Sequence, residues 1–184
     1  MGKSIKEKVT LGVNMVKNMN YESKVDFKNL LRSIDGYKVE KIFGKAGMGV
    51  FFEGKLVARY FGKNDFYKFL DESNINWRVI ISKRLFSDNA ILIIIRNTIY
   101  FLELKIQQVP ELIDEEDLMM CDFNRKQYLK LVAPLGLKVE YVYVLSDWFK
   151  KSQYKDVLDY IQSVNCHYKF NELPLAWLGL PTKQ

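Results

Sequence analysis

The sequence predicts an α/β domain in which helices flank a mixed central β-sheet. Three observations predict it. Residues 87–109, SDNAILIIIRNTIYFLELKIQQV, hold two apolar runs about a polar turn at Arg96-Asn97, the pattern of a β-hairpin. The next segments are DFNRKQYLKLVAPLG, a helix ending near Pro134 and Gly136, and KVEYVYVLSDWF, which alternates and then turns continuously apolar, as in a strand buried on both faces. Finally, SQYKDVLDYIQSV spaces Tyr154, Val157, Leu158 and Ile161 as one face of a helix with a wet opposite side.

The remaining elements follow in chain order. The first 33 residues read as helical, in two pieces broken near KNMNYES. KVEKIFGKAGMGVFFEGKLVARYF reads as strands joined by glycine-rich turns, with Glu53-Gly54 closing a hairpin. KNDFYKFLDES is a short helix that Asn64 caps, burying Phe66, Phe69 and Leu70. WRVIIS reads as a further strand. The stretch Gly44–Gly49, GKAGMG, reads first as a strand-linking turn and second as a loop contacting DNA phosphates; it is not a phosphate loop, because it lacks the Gly-Lys-Ser/Thr needed before a helix. The tail NELPLAWLGLP is apolar and aromatic and should pack on the body of the domain.

A chain of 184 residues favours one domain, spanning 1–184. A hydrophobic fraction of 48% and an aromatic fraction of 14% exclude a disordered chain. No apolar run reaches the length of a membrane span, and MGKSIKEKVTLG carries no apolar signal core. Cys121 and Cys166 stand far apart, in neither a metal-ligand spacing nor a disulfide framework. The expectation is a reduced, cytoplasmic protein with no membrane partner. His167 is the one histidine, so a zinc site of histidines and cysteines, or chemistry needing two histidines, is not expected. The net charge is +6, and residues 1–45, the basic N-terminal part, hold ten Lys/Arg against five Asp/Glu. That surplus permits nucleic-acid binding without requiring it.

The chemistry-bearing residues lie at the ends of the 87–109 hairpin. Alternation along the second strand puts Phe101, Glu103, Lys105 and Gln107 on one face, and antiparallel pairing brings Asp88 to the same end. Two carboxylates beside a lysine suit Mg²⁺, which keeps waters and is held by one or two carboxylates plus substrate phosphate. The lysine would orient an attacking water or meet charge growing on phosphate oxygens. Two other acidic sets have plainer readings. PELIDEEDLMMCD, with six carboxylates, reads as a solvated loop entering a helix, where acids suit the N-terminus. Glu22 and Asp26 read as a surface pair one helical turn apart.

Ser87-Asp88 followed by Glu103-Leu104-Lys105, set in a hairpin and trailed by a helix and a buried strand, resembles the PD-(D/E)XK nuclease superfamily, the restriction-endonuclease-like fold. Serine replaces the motif's proline at position 87, a departure of little weight because the aspartate is what binds metal. The resemblance covers roughly residues 78–170, the expected catalytic core. It implies a restriction-endonuclease-like sheet and a Mg²⁺-dependent DNA endonuclease, with Mn²⁺ able to substitute. Asp88, Glu103 and the Leu104 carbonyl would hold the metal and Lys105 would position the water. Gln107, Gln127 beside Tyr128, and Glu22 are accessory positions by the same resemblance. A small type II restriction enzyme is the first expectation. A structure-selective repair or recombination nuclease, or a DNA-binding subunit with a vestigial site, are its rivals. One active site per chain implies a homodimer or a partner subunit for cutting both strands.

Overall fold

A computed structural model of the chain describes residues 10–11, 27–105 and 115–183. Seven strands form one mixed sheet: β2 (Tyr37–Glu40), β3 (Met48–Phe52), β4 (Lys55–Phe61), β5 (Asn89–Ile93), β6 (Thr98–Lys105), β7 (Lys138–Leu145) and β8 (His167–Phe170), in that spatial order. Neighbours from β2 to β6 are antiparallel, whereas β6, β7 and β8 run parallel. The change of sense follows from the connections. Glu53-Gly54 (φ 48° and 80°) turns β3 directly into β4, and residues 94–97 turn β5 into β6. Parallel neighbours need long crossovers, and helices supply them.

Helices cover both faces. On one, α2 (Asp65–Glu72), α4 (Cys121–Val132) and α5 (Lys155–Ser163) bury Phe66, Phe69, Leu70, Tyr128, Leu131 and Ile161 against Phe61, Phe101, Tyr141 and Tyr143. The expected faces of α2 and α5 are the buried ones, and Tyr67 joins that of α2. Asn64 precedes α2, but its side chain makes no capping hydrogen bond. On the other face, α1 (Phe27–Arg32) and the C-terminal segment pack Phe27, Leu31, Leu173, Leu175 and Leu178 against Ile91, Tyr100, Leu102 and Val142. The short α6 (Leu175–Leu178) lies in that segment, so the apolar tail does pack on the body. His167 begins β8, an edge strand, and its Nε2 lies 2.7 Å from Glu140 Oε2.

Two local expectations are corrected. WRVIIS is not a strand: Trp77–Val79 is a 3₁₀ turn whose start is capped by Asn76, accepting from the Arg78 N–H at 3.2 Å. Trp77 goes into the core, with the Arg78 and Arg84 guanidiniums over its ring at 4.6 and 4.9 Å. The first 33 residues are not wholly helical either. Thr10–Leu11 is strand β1, paired with β9 (Leu173–Pro174), and only Phe27–Arg32 is helical among their described residues. A short strand next to a long polar stretch carries no periodicity to announce it. The acidic run continues as expected: Glu115, Glu116 and Asp117 open α3 (Glu115–Met119), where the helix dipole favours them.

Candidate functional site

The β5–β6 hairpin builds the site. Ile91 and Ile93 of β5 and Tyr100 and Leu102 of β6 are buried towards the C-terminal segment, while Ala90, Ile99 and Phe101 are buried towards the helices. With both faces in the core, a slip by one would carry every side chain to the opposite face and out of the close packing it fits, so the register is specified by packing on both sides. Asn97, in the left-handed region at φ 49°, closes the turn, and its Nδ2 donates to the Gly136 carbonyl at 2.9 Å. The register pairs Asn89 with Leu102, so one step further sets Asp88 across from Glu103. Directly opposed positions on one face of an antiparallel pair hold their Cβ atoms about 5 Å apart. The Leu104 N–H donates to Asp88 Oδ2 at 2.9 Å, fixing that carboxylate across the strand end.

Glu103 is half-buried and sits on the face that α4 covers. Burial, and secondarily the negative charge of Asp88, push its carboxyl up to about 7. Lys105 and hydrogen bonding from the Tyr141 hydroxyl and the Asp88 amide pull the other way without prevailing. Aromatic packing forms the floor. Phe101 and Tyr128 are stacked with ring centroids 3.6 Å apart, and Tyr141 meets Tyr143 edge-on at 5.6 Å. Burial holds the Tyr128, Tyr141 and Tyr143 hydroxyls protonated, so all three are neutral donors here. Asn124 Nδ2 of α4 donates to the Tyr141 oxygen at 3.2 Å, which fixes that hydroxyl on its second side. The parallel strand β7 pairs Lys105 with Leu145, and the Ser146 N–H donates to the Lys105 carbonyl at 3.2 Å.

Asp88, Glu103, Leu104 and Lys105 are therefore brought together at one end of the sheet. Gln127 lies on α4, where its Oε1 accepts from Lys130 at 3.4 Å, while its neighbour Tyr128 faces Phe101 and hydrogen-bonds with Ser87. Gln107 and Glu22 fall outside the described residues. No local sequence pattern marks Tyr141 and Asn124 as neighbours of this site. The strand alternation of β7 shows Tyr141 and Tyr143 sharing a face, but their meeting with Glu103 depends on a parallel register that no local pattern states.

The donor set fits a hard cation. Two carboxylates face each other, and the proton affinity of Glu103 is raised partly by the charge of its neighbour, which a divalent ion would neutralise. No group of three or more His, Cys, Asp or Glu side chains among the described residues is placed to hold an ion jointly. Mg²⁺ does not need one, since waters and substrate oxygens complete its shell. No helix among the described residues is long and apolar enough to cross a membrane. Comparison with protein-family models, curated proteins and solved structures finds no match to this chain.

Proposed function

We propose that the chain is a Mg²⁺-dependent DNA endonuclease of the restriction-endonuclease-like fold, acting on double-stranded DNA as a type II restriction enzyme does. One observation carries the reading: Asp88 and Glu103 oppose each other across the β5–β6 hairpin, with Lys105 next along the same face of β6. The antiparallel hairpin, the crossover through α4 and the return in parallel β7 agree with the order of elements that the PD-(D/E)XK resemblance implies.

Each group has a task in that chemistry. Asp88, oriented by the Leu104 N–H, and Glu103, held by Tyr141, would bind the ion together with the Leu104 carbonyl. Bound there, Mg²⁺ would polarise a phosphodiester oxygen and favour ionisation of water. Lys105 would place the attacking water and meet charge that appears on the phosphate oxygens only in the transition state. The aromatic floor of Phe101, Tyr128 and Tyr141 keeps bulk water from the inner side of the site.

The test incubates pure protein with unmodified plasmid and Mg²⁺ and maps the ends. Cleavage should vanish with chelator and in Asp88→Ala. Lys105→Ala should stay folded, bind DNA nearly as before and cut about 100- to 1,000-fold more slowly, the usual loss for one transition-state electrostatic contact. Cutting at the wild-type rate by either variant overturns the assignment.

A further inference from the structure

The connection between β2 and β3, residues 41–47 (KIFGKAG), leaves the sheet at the end that carries the carboxylate pair. The registers show why. Met48 pairs with Tyr60 and Phe61 with Ala90, so the start of β3, the end of β4 and the start of β5 share one end with Glu103. At the tip of this connection Phe43 is fully exposed, with a relative accessibility of 103%, the highest of the exposed large apolar side chains among the described residues. A lone apolar residue on a surface usually means nothing. Here the surrounding construction gives it meaning.

The loop is tied at its base. The Ala46 N–H donates to Glu72 Oε2 at 2.8 Å, and Arg59 Nη2 donates to the Ala46 carbonyl at 2.6 Å. Arg59 and Lys45 both pair with Glu72 at 3.1 Å, and the Arg59 guanidinium lies over the Phe61 and Phe69 rings at 5.2 and 5.1 Å. The Lys45 N–H closes a turn onto the Ile42 carbonyl at 3.1 Å. Ile42 lies against Gly49, where a Cβ would meet its Cδ1 at 2.8 Å, and the next side chain, Phe43, stands out in solvent. Exposed Lys41 and Lys45 flank the ring, and exposed Lys63 lies on the neighbouring β4–α2 connection at the same end. A planar ring among cations, held on a braced turn, complements a polyanion that carries planar bases.

We propose that residues 41–47 are a wedge for duplex DNA, with the Phe43 ring entering or stacking on a base step and Lys41 and Lys45 meeting the flanking phosphates. The proposal rests on the nuclease reading and adds where the duplex is gripped. At the usual strand spacing, β2 and β3 lie roughly 14–19 Å from β6. That separation corresponds to about four to six base steps of duplex. The wedge therefore acts to one side of the cut.

The experiment uses the full chain with Ca²⁺ in place of Mg²⁺ and duplex oligonucleotides carrying 2-aminopurine at successive positions. Wild type, Phe43→Ala and Phe43→Trp are compared for fluorescence enhancement, for binding by anisotropy and, with Mg²⁺, for plasmid cleavage. Wild type should brighten 2-aminopurine in a narrow window away from the cut. Phe43→Ala should unfold at the wild-type temperature, lose the brightening and bind about tenfold more weakly, as for loss of one base–aromatic stack. Phe43→Trp should restore both. If Phe43→Ala brightens and binds like wild type while wild type cuts, the wedge is wrong and the nuclease reading stands. If wild type neither binds nor cuts, both fall. Phe43-dependent binding to phosphatidylserine vesicles, with DNA binding indifferent to the ring, overturns the wedge in favour of a membrane contact.

Discussion

At the scale of single residues, Glu103 carries the most testable physics. Its carboxyl is raised to about 7, first by burial and then by Asp88. An acid whose folded value exceeds its unfolded value stabilises the fold only while protonated. The contribution is whole below the ordinary glutamate range and is lost as pH rises through about 7. The shift corresponds to at most about 3 kcal/mol. In metal-free protein, urea unfolding across this pH window should show wild type falling relative to Glu103→Gln, which stays protonation-independent at that position. Equal pH profiles for the two would refute the raised value. Asp88, Glu103 and Lys105 were legible because strand alternation and a hairpin turn are both local signals. Tyr141, Asn124 and the Leu104 N–H were not, because each reaches the carboxylates through a pairing or packing choice made elsewhere in the chain.

At the scale of elements, β6 and α4 meet through the Phe101–Tyr128 stack, which Phe66 of α2 completes edge-on at 5.0 and 5.7 Å. Phe101 is fully buried and lies two residues before Glu103 on the same strand face. Phe101→Ala removes a ring that three elements share, and the cost should be about 3–5 kcal/mol, as for other large-to-small core changes. Denaturant unfolding measures it, and a loss below about 1 kcal/mol would show the site rests on other contacts. Helices α2 and α5 were readable because amphipathic spacing marks a helix whatever it packs on, and α4 because Pro134 and Gly136 mark its end. The segment WRVIIS departs from the strand its composition predicts because a short apolar run has no periodicity of its own, and Asn76 and the two arginines over Trp77 decide its path. The same holds for Thr10–Leu11, whose strand exists only through its partner at Leu173–Pro174.

For the whole molecule, the sheet gathers what the chain scatters. Lys41 and Lys45 on the β2–β3 connection, Lys63 after β4, Lys83 before β5, and Lys150 and Lys151 after β7 are all exposed. All lie on connections that enter or leave the sheet at the end carrying Asp88 and Glu103. Composition announces only a surplus of positive charge, because seven-strand order is a global property and the rim appears only once it is set. Within that rim, Lys150 pairs with Asp147 at 2.6 Å and Lys151 lies over the Trp148 ring at 2.9 Å. The exposed pair is worth little, so phosphate can compete for that lysine. If the rim tracks a DNA backbone, binding must release counterions, and each phosphate contact adds about 0.9 to the slope of log K against log salt. Lys150→Ala/Lys151→Ala should therefore bind more weakly and flatten that slope by up to about 2. Its thermal unfolding should match wild type, since neither side chain supports the core. Anisotropy titrations over a range of salt concentrations decide it. A slope equal to that of wild type would mean that DNA approaches without touching this side of the rim, and the duplex would then have to lie wholly over the β2–β5 side of the sheet end.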